Sequence, residues 1–356
     1  MKHDWSGWRA LVLTLAVSGC GGDGSLVELG DSAFINNQQD GSIATGPRTA
    51  IGPCHLFPAD NPWNQDISAA PLHSNAPTWL ANMHTSAGLH ADWGTVSEQY
   101  GIPFVTGTGA PPQRMTWTSS WGPSESDKLP CADGYPFCYP IPLSAPIEGG
   151  PTAATGSDRH VLYVDTSGAP DHCTLYELYN GQNPGASGWS AENGAIFPLG
   201  TNALRPDSWT SADAAGLPVL PGLVRWDEVK AGVITHALRF TMNNTYQGYI
   251  HPATHAAGLS DAAMPPMGLR LRLKQGTPIS SYSQEAQVIF TAMKTYGIIL
   301  ADNGSNWYVS GETSDGWATD AGGGDTVLDK IVSAFSKIHG GDFEIIDSGP
   351  VSTAGL

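Results

Sequence analysis

The sequence predicts a β-rich α+β fold: antiparallel sheets arranged as a sandwich or barrel, a few packed helices and long Gly/Pro-rich loops. Three observations point that way. Glycine (43) and proline (27) are abundant while charged residues make up 14%, the balance of loop-rich extracellular β proteins rather than helical bundles. Short alternating or β-branched runs recur between turn signals from residue 160 onwards. Helical periodicity is confined to a few segments, most of them late in the chain.

The chain opens with an address. Lys2 and Arg9 supply a positive leader, Ala10 to Val17 is a short apolar run, and Val17-Ser18-Gly19-Cys20 reads as a lipobox. Residues 1–19 are therefore expected to be a lipoprotein signal peptide and Cys20 the lipid attachment point, since the apolar run is far short of the roughly 20 residues a spanning helix requires. Residues 20–52, rich in Gly, Ser, Asn, Gln and Asp, read as a flexible tether, 53–348 as one β-rich globular domain and 349–356 as a tail. Without the leader the chain keeps 14 basic and 32 acidic side chains, a net charge of about −18. With no run of Lys or Arg, such a surface disfavours nucleic acid, and the expected membrane contact is through the lipid anchor alone.

The elements follow in order. Asn75-Ala76-Pro77 looks like a cap and first turn leading into Trp79, Leu80 and Met83 and closing at Gly88. Residues 101–156 are dense in proline and aromatic side chains and expected to be irregular. Two β-rich runs, 160–165 and 173–179, flank Thr166-Ser167-Gly168-Ala169-Pro170, a hairpin signal. Further strands are expected over 234–241, 269–274, 307–309 and 343–346. A helix capped at Ser281-x-x-Gln284 runs to Gly297, and another with Asp325 as N-cap repeats Val327, Leu328, Ile331, Val332, Phe335 and Ile338 on one face. With Cys20 assigned to lipid, Cys54, Cys131, Cys138 and Cys173 allow three disulfide pairings. Cys131–Cys138, closing a Pro/Gly loop, with Cys54–Cys173 is the preferred set.

Candidate chemistry rests on four residue types. In Leu269-Arg270-Leu271-Arg272-Leu273-Lys274, alternation puts the cations on one face, a stripe suited to uronate carboxylates or to a solvated face paired with surplus Asp and Glu. Arg239 alternates similarly, and Arg225 sits at a turn edge. His236 shares a face with Ile234, Leu238 and Phe240, so it is either a hydrogen-bonded core residue or a base held by a buried carboxylate. His251-x-x-x-His255 has the spacing of a helical metal pair, but Pro252 argues against a helix, and no metal or other cofactor is expected. Glu177 faces inward with Cys173, Leu175 and Tyr179, where desolvation favours a general acid. Asp213 is a base or nucleophile unless it only caps, and Asp302 at an Asn-Gly turn is the reserve. The supply of 12 Trp and 11 Tyr suits stacking on sugars, with Trp209, Trp307 and Tyr308 singled out.

The run Ala203-Leu204-Arg205-Pro206 to Trp209-Thr210-Ser211-Ala212-Asp213, Leu220-Pro221-Gly222-Leu223-Val224-Arg225, His236-Ala237-Leu238-Arg239 and Pro265-Pro266-Met267-Gly268 resembles a family of secreted bacterial proteins. The resemblance covers roughly Phe57 to Asp347 and implies one domain, but no reaction. The sequence lacks G-x-S-x-G, H-E-x-x-H, Walker A and Rossmann signatures, which weakens the common esterase, zincin and nucleotide classes. The expectation is therefore an envelope lipoprotein, at the outer membrane or cell surface, that is a monomer acting on polysaccharide as a glycoside hydrolase with paired carboxylates. The alternatives are a uronate lyase, in which arginine neutralises the carboxylate and His236 or His255 removes the α-proton, and a non-catalytic glycan- or partner-binding protein.

Overall fold

A computed structural model describes residues 49–354 apart from 154–156, 184 and 186–187. The leader and Cys20 lie outside the described residues. Among those described, strands outweigh helices, 26% against 17% of residues, in a β-rich α+β fold of five sheets. Antiparallel ladders lead, but parallel ones also occur, including 238–242 on 298–303 and 104–107 on 161–165.

The six-stranded sheet runs, in spatial order, Phe343–Ile345, Arg270–Leu273, Ile298–Asn303, Leu238–Met242, Tyr308–Ser310 and His90–Asp92. The four-stranded sheet runs Asn193–Pro198, Thr174–Tyr179, Val161–Asp165 and Phe104–Gly107. The expected hairpin is present, with Val161 opposite Leu178 and Asp165 opposite Thr174. Alternation gives this sheet two buried faces. Leu162, Val164 and Leu175 join a large core shared with the six-stranded sheet, while Val161, Tyr163, Tyr176 and Leu178 join a smaller one with Trp189, Tyr139 and Met115.

Local signals shift by a few residues. The first helix is Ala76–Ala81, shorter than expected, and the Asn75 side chain makes no cap bond. The helix Gln284–Thr295 is capped by Ser283 Oγ rather than Ser281, and Val327–Phe335 by a Thr326/Asp329 capping box rather than Asp325. The strand expected over 234–241 is Leu238–Met242, so His236 precedes it. Two segments expected to lie outside the domain are tied to it. Ala50–Ile51 pairs with Cys54–His55 and buries Ile51, and Ser352 bridges Tyr249. Both preferred disulfides form, Cys54–Cys173 with Cα atoms 5.9 Å apart and Cys131–Cys138 at 5.1 Å.

Candidate active site

One face of the six-stranded sheet carries a row of polar side chains across four neighbouring strands. Arg239 and Thr241 stand on 238–242, Ser310 and Tyr308 on the antiparallel neighbour, and Asp92 and His90 in register beyond them, Ser310 opposite Asp92 and Tyr308 opposite His90. Asp302 joins the row through an irregularity. Arg239 pairs with Ile299 and Phe240 with Leu300, but Thr241 pairs with Asp302, so Ala301 is the extra residue. A regular ladder would place Asp302 on the core face with Phe240. The bulge turns it onto the Arg239 face instead.

Two loops and the four-stranded sheet close this row into a cleft of two contiguous lobes. The larger, of about 590 Å³, is walled by Trp121, Glu125, Tyr179, the 210–214 segment, His255 and Ala257, and the smaller, of about 260 Å³, by Asp92, Glu148, His160, Arg239, Tyr308 and Ser310. Asp158, Asp302 and Asn303 belong to both lobes.

Arg239 is the floor of the smaller lobe. Its Nη1–H donates to Ser310 Oγ at 2.8 Å, and Nη2 lies 3.7 Å from a carboxylate oxygen of Asp213 and 3.7 Å from one of Asp302. The carboxylates differ in access: the Asp302 side chain is 20% exposed and that of Asp213 is 0%. Burial pushes Asp302 up to about 6, opposed by Arg239 and reinforced by the charge of Asp158. Asp213 is raised well above the usual carboxylate range, again by burial against the pull of Arg239. Its Oδ1 accepts the Ala215 and Leu217 N–H groups at 3.1 Å each, while Oδ2 has no hydrogen-bond partner.

His160, immediately before the strand Val161–Asp165, fixes the loop that carries Asp213. Nδ1–H donates to Glu148 at 2.6 Å and Nε2–H to the Ala212 carbonyl at 2.8 Å. Two acceptors require two ring protons, so the geometry calls for imidazolium. Burial alone would lower this histidine, but the charge and hydrogen bond of Glu148 outweigh it and push His160 up to about 9. Burial would likewise raise Glu148, and His160 outweighs it and holds Glu148 below its ordinary value.

The structure thus gathers Asp213, Asp302, Arg239, His255 and Tyr308 around one cleft, and places the other expected site residues elsewhere. Glu177 does face inward, but it is fully buried. Its oxygens accept Val219 N–H, at 3.0 Å to each, and Leu220 N–H at 3.0 Å, so it anchors the short 3-10 turn 220–222 and presents no atom to substrate. Burial, opposed by those N–H groups, pushes it up to about 7. Asp213 has the same lack of access, so neither member of the expected acid/base pair reaches solvent. Arg225 and His236 form a separate buried cluster around Glu228, at 2.8 and 3.0 Å.

The expected cationic stripe is a backbone clamp. Arg270 donates to the carbonyls of Tyr296 and Gln65, and Arg272 to those of Ile67 and Ala70 and to Glu344. Alternation put these arginines on one face correctly, but other segments cover that face. Trp307 is fully buried, donates to the Met83 carbonyl at 2.6 Å and stacks on Phe240, so it is core and not a sugar platform. Trp63, Trp79, Trp93, Trp189 and Trp317 are equally buried. Trp209 is half-buried beside Arg205, and among the described tryptophans Trp121 is the one lining the larger lobe.

Asp158, His160, Glu148 and Asp92 escaped the sequence reading. Asp158-Arg159-His160 did offer a signal, three ionisable residues at the entry of an apolar strand. His255 lines the larger lobe with Nδ1–H donating to the Ala214 carbonyl at 2.7 Å, which leaves it beside the 212–215 loop rather than in a helical metal pair. Compared with protein-family models, curated proteins and solved structures, the chain matches none.

Proposed function

We propose that this protein is a carbohydrate-active hydrolase of the cell envelope that cleaves glycosidic bonds with Asp302 as general acid and Asp158 as base or nucleophile. The observation that carries the reading is that both carboxylates belong to both lobes of one cleft while their settings differ: Asp302 is largely enclosed and pushed up to about 6, and Asp158 is exposed. An enclosed acid raised to about 6 beside a solvent-exposed carboxylate is the division of labour glycoside hydrolysis needs. Arg239 stands behind Asp302 as its charged support, with the buried Asp213 at the same guanidinium nitrogen, and Trp121 and Tyr179 give the larger lobe two aromatic walls for sugar faces. The envelope address rests on the lipobox ending at Cys20 and on two disulfides, which persist in oxidising compartments.

For the lyase alternative, His255 does line the larger lobe, but His236 lies outside the cleft and Arg239 is 3% exposed and already faces two carboxylates, which leaves no free guanidinium there for a uronate. The test is release of reducing ends by the purified full-length protein from neutral, acidic and amino-sugar polysaccharides. Reducing ends without unsaturated products are expected from at least one neutral or amino-sugar polymer. Ultraviolet-absorbing unsaturated uronates would identify a lyase, and neither cleavage nor binding of any polymer would remove the carbohydrate reading.

A further inference from the structure

The polar wall of the larger lobe has spent most of its donors. The Thr210 hydroxyl donates to the Asp213 carbonyl at 2.9 Å, the Ser211 hydroxyl to the Leu217 carbonyl at 2.5 Å and the Asn303 amide to the Ala257 carbonyl. Glu125 accepts the Thr210 N–H through Oε2 at 3.2 Å and keeps Oε1 without a hydrogen-bond partner among the described residues. No lysine or arginine stands among the described residues of this wall, and Trp121 and Tyr179 supply its aromatic faces.

His255 is held on this wall at two points. Its backbone N–H donates to the Ala215 carbonyl at 3.1 Å and its ring Nδ1–H to the Ala214 carbonyl at 2.7 Å. The 213–217 turn can lie this close because Gly216 is left-handed and has no side chain: a Cβ there would fall 2.2 Å from Thr254 Oγ1. A carbonyl only accepts, so the proton sits on Nδ1, and the neutral ring points its Nε2 lone pair away from the Ala214 carbonyl. That nitrogen has no partner among the described residues and, unlike Asp213 Oδ2, is not sealed from solvent. A brace to the 214–215 backbone would need Nδ1 alone.

We infer that His255 Nε2 is a specificity-determining contact of the larger lobe, accepting a hydrogen bond from a free hydroxyl of a neutral sugar. The inference rests on the hydrolase reading and narrows its substrate class to sugars that keep that hydroxyl unsubstituted. Acceptors at His255, Glu125 and Asp158 match hydroxyl donors, an O-methyl or O-acyl group leaves them unpaired, and a carboxylate or sulfate meets a wall without a Lys or Arg.

Two substitutions separate the two ring nitrogens. His255→Asn keeps an amide N–H in the Nδ1 position and removes Nε2, whereas His255→Gln reaches the Nε2 position with its carbonyl and gives up the bond to Ala214. Kinetics are measured on the neutral polysaccharide from which the wild type releases reducing ends, native and partly O-methylated, alongside thermal melting of each protein. His255→Asn is expected to melt with the wild type and to raise KM on the native polymer about 10-fold with kcat unchanged, the effect of losing one hydrogen bond to bound substrate. Its preference for native over O-methylated polymer should shrink by about the same factor. His255→Gln should melt lower yet hold KM within about 3-fold of the wild type. A folded His255→Asn with wild-type KM and undiminished preference, or a folded His255→Gln whose KM rises as far, would overturn the contact, while the wild type's reducing ends leave the hydrolase reading standing. No release of reducing ends by the wild type from any polymer would overturn both.

Discussion

Replacing Asp302 by Asn is expected to lower kcat/KM on the cleaved polymer at least ~100-fold, the usual cost of losing a positioned acid, without lowering the thermal midpoint. The amide keeps the shape and an acceptor for the Asn303 N–H, which donates to Asp302 Oδ1 at 2.7 Å, while removing a group whose enclosure costs stability when ionised. Because Asp302 must hold its proton to serve as the acid, wild-type activity should fall as pH rises through about 6. Asp158→Asn should cost a similar factor by removing the other carboxylate. Glu177→Gln is the internal control. It replaces an oxygen that accepts from the 219–220 backbone with an amide N–H, so stability should drop by about 1–3 kcal/mol while kcat/KM stays within an order of magnitude. A folded Glu177→Gln protein as inactive as Asp302→Asn would return the acid role to Glu177.

The second large effect concerns His160. Its folded value of about 9 lies above the ordinary imidazole value of 6.5, so the stability it contributes is complete below about pH 6.5 and is lost as pH rises through about 9. The difference corresponds to on the order of 3 kcal/mol. Glu148, held low, acts at the other end, contributing stability that is lost as pH falls through its depressed value. His160→Gln removes one partner of a buried pair and should cost about 3–5 kcal/mol near neutrality, with the gap to wild type narrowing above pH 9. Denaturant titrations of both proteins across this range check it. A wild-type stability flat between neutrality and strongly alkaline pH would show that His160 is not the imidazolium its two acceptors demand.

Much of the fold was legible because local chemistry and tertiary packing agree. The hairpin around residues 166–170, the late helices and the two disulfides follow from spacing and punctuation. Side-chain alternation also placed Glu177 and the Arg270/Arg272 pair on their correct faces. It did not reveal what covers those faces: the 65–70 segment over the arginines, and the 219–220 backbone over Glu177. Trp307 misled for a related reason. Its ring fits inside because Gly340 has no side chain, and a Cβ there would fall 2.3 Å from the indole.

The site itself depends on two features with no local signature. One is the bulge at Ala301, which flips Asp302 from core to cleft. The other is the long-range meeting of Glu148, His160 and the Ala212 carbonyl, residues far apart in sequence that form one clamp. Sequence reasoning selected Asp302 from its turn, but the carboxylate beside it, Asp158, became visible only when the two sheets were placed together.

Carboxyl-carbon NMR titration of Asp302, in the wild type and in Asp158→Asn, tests most directly whether these two groups form a coupled acid/base pair. The expected result is a midpoint near 6 in the wild type that moves down when the charge of Asp158 is removed, since that charge helps hold the proton on Asp302. An Asp302 that titrates near 4 with Asp158 present or absent would contradict the pairing and with it the proposed catalytic roles.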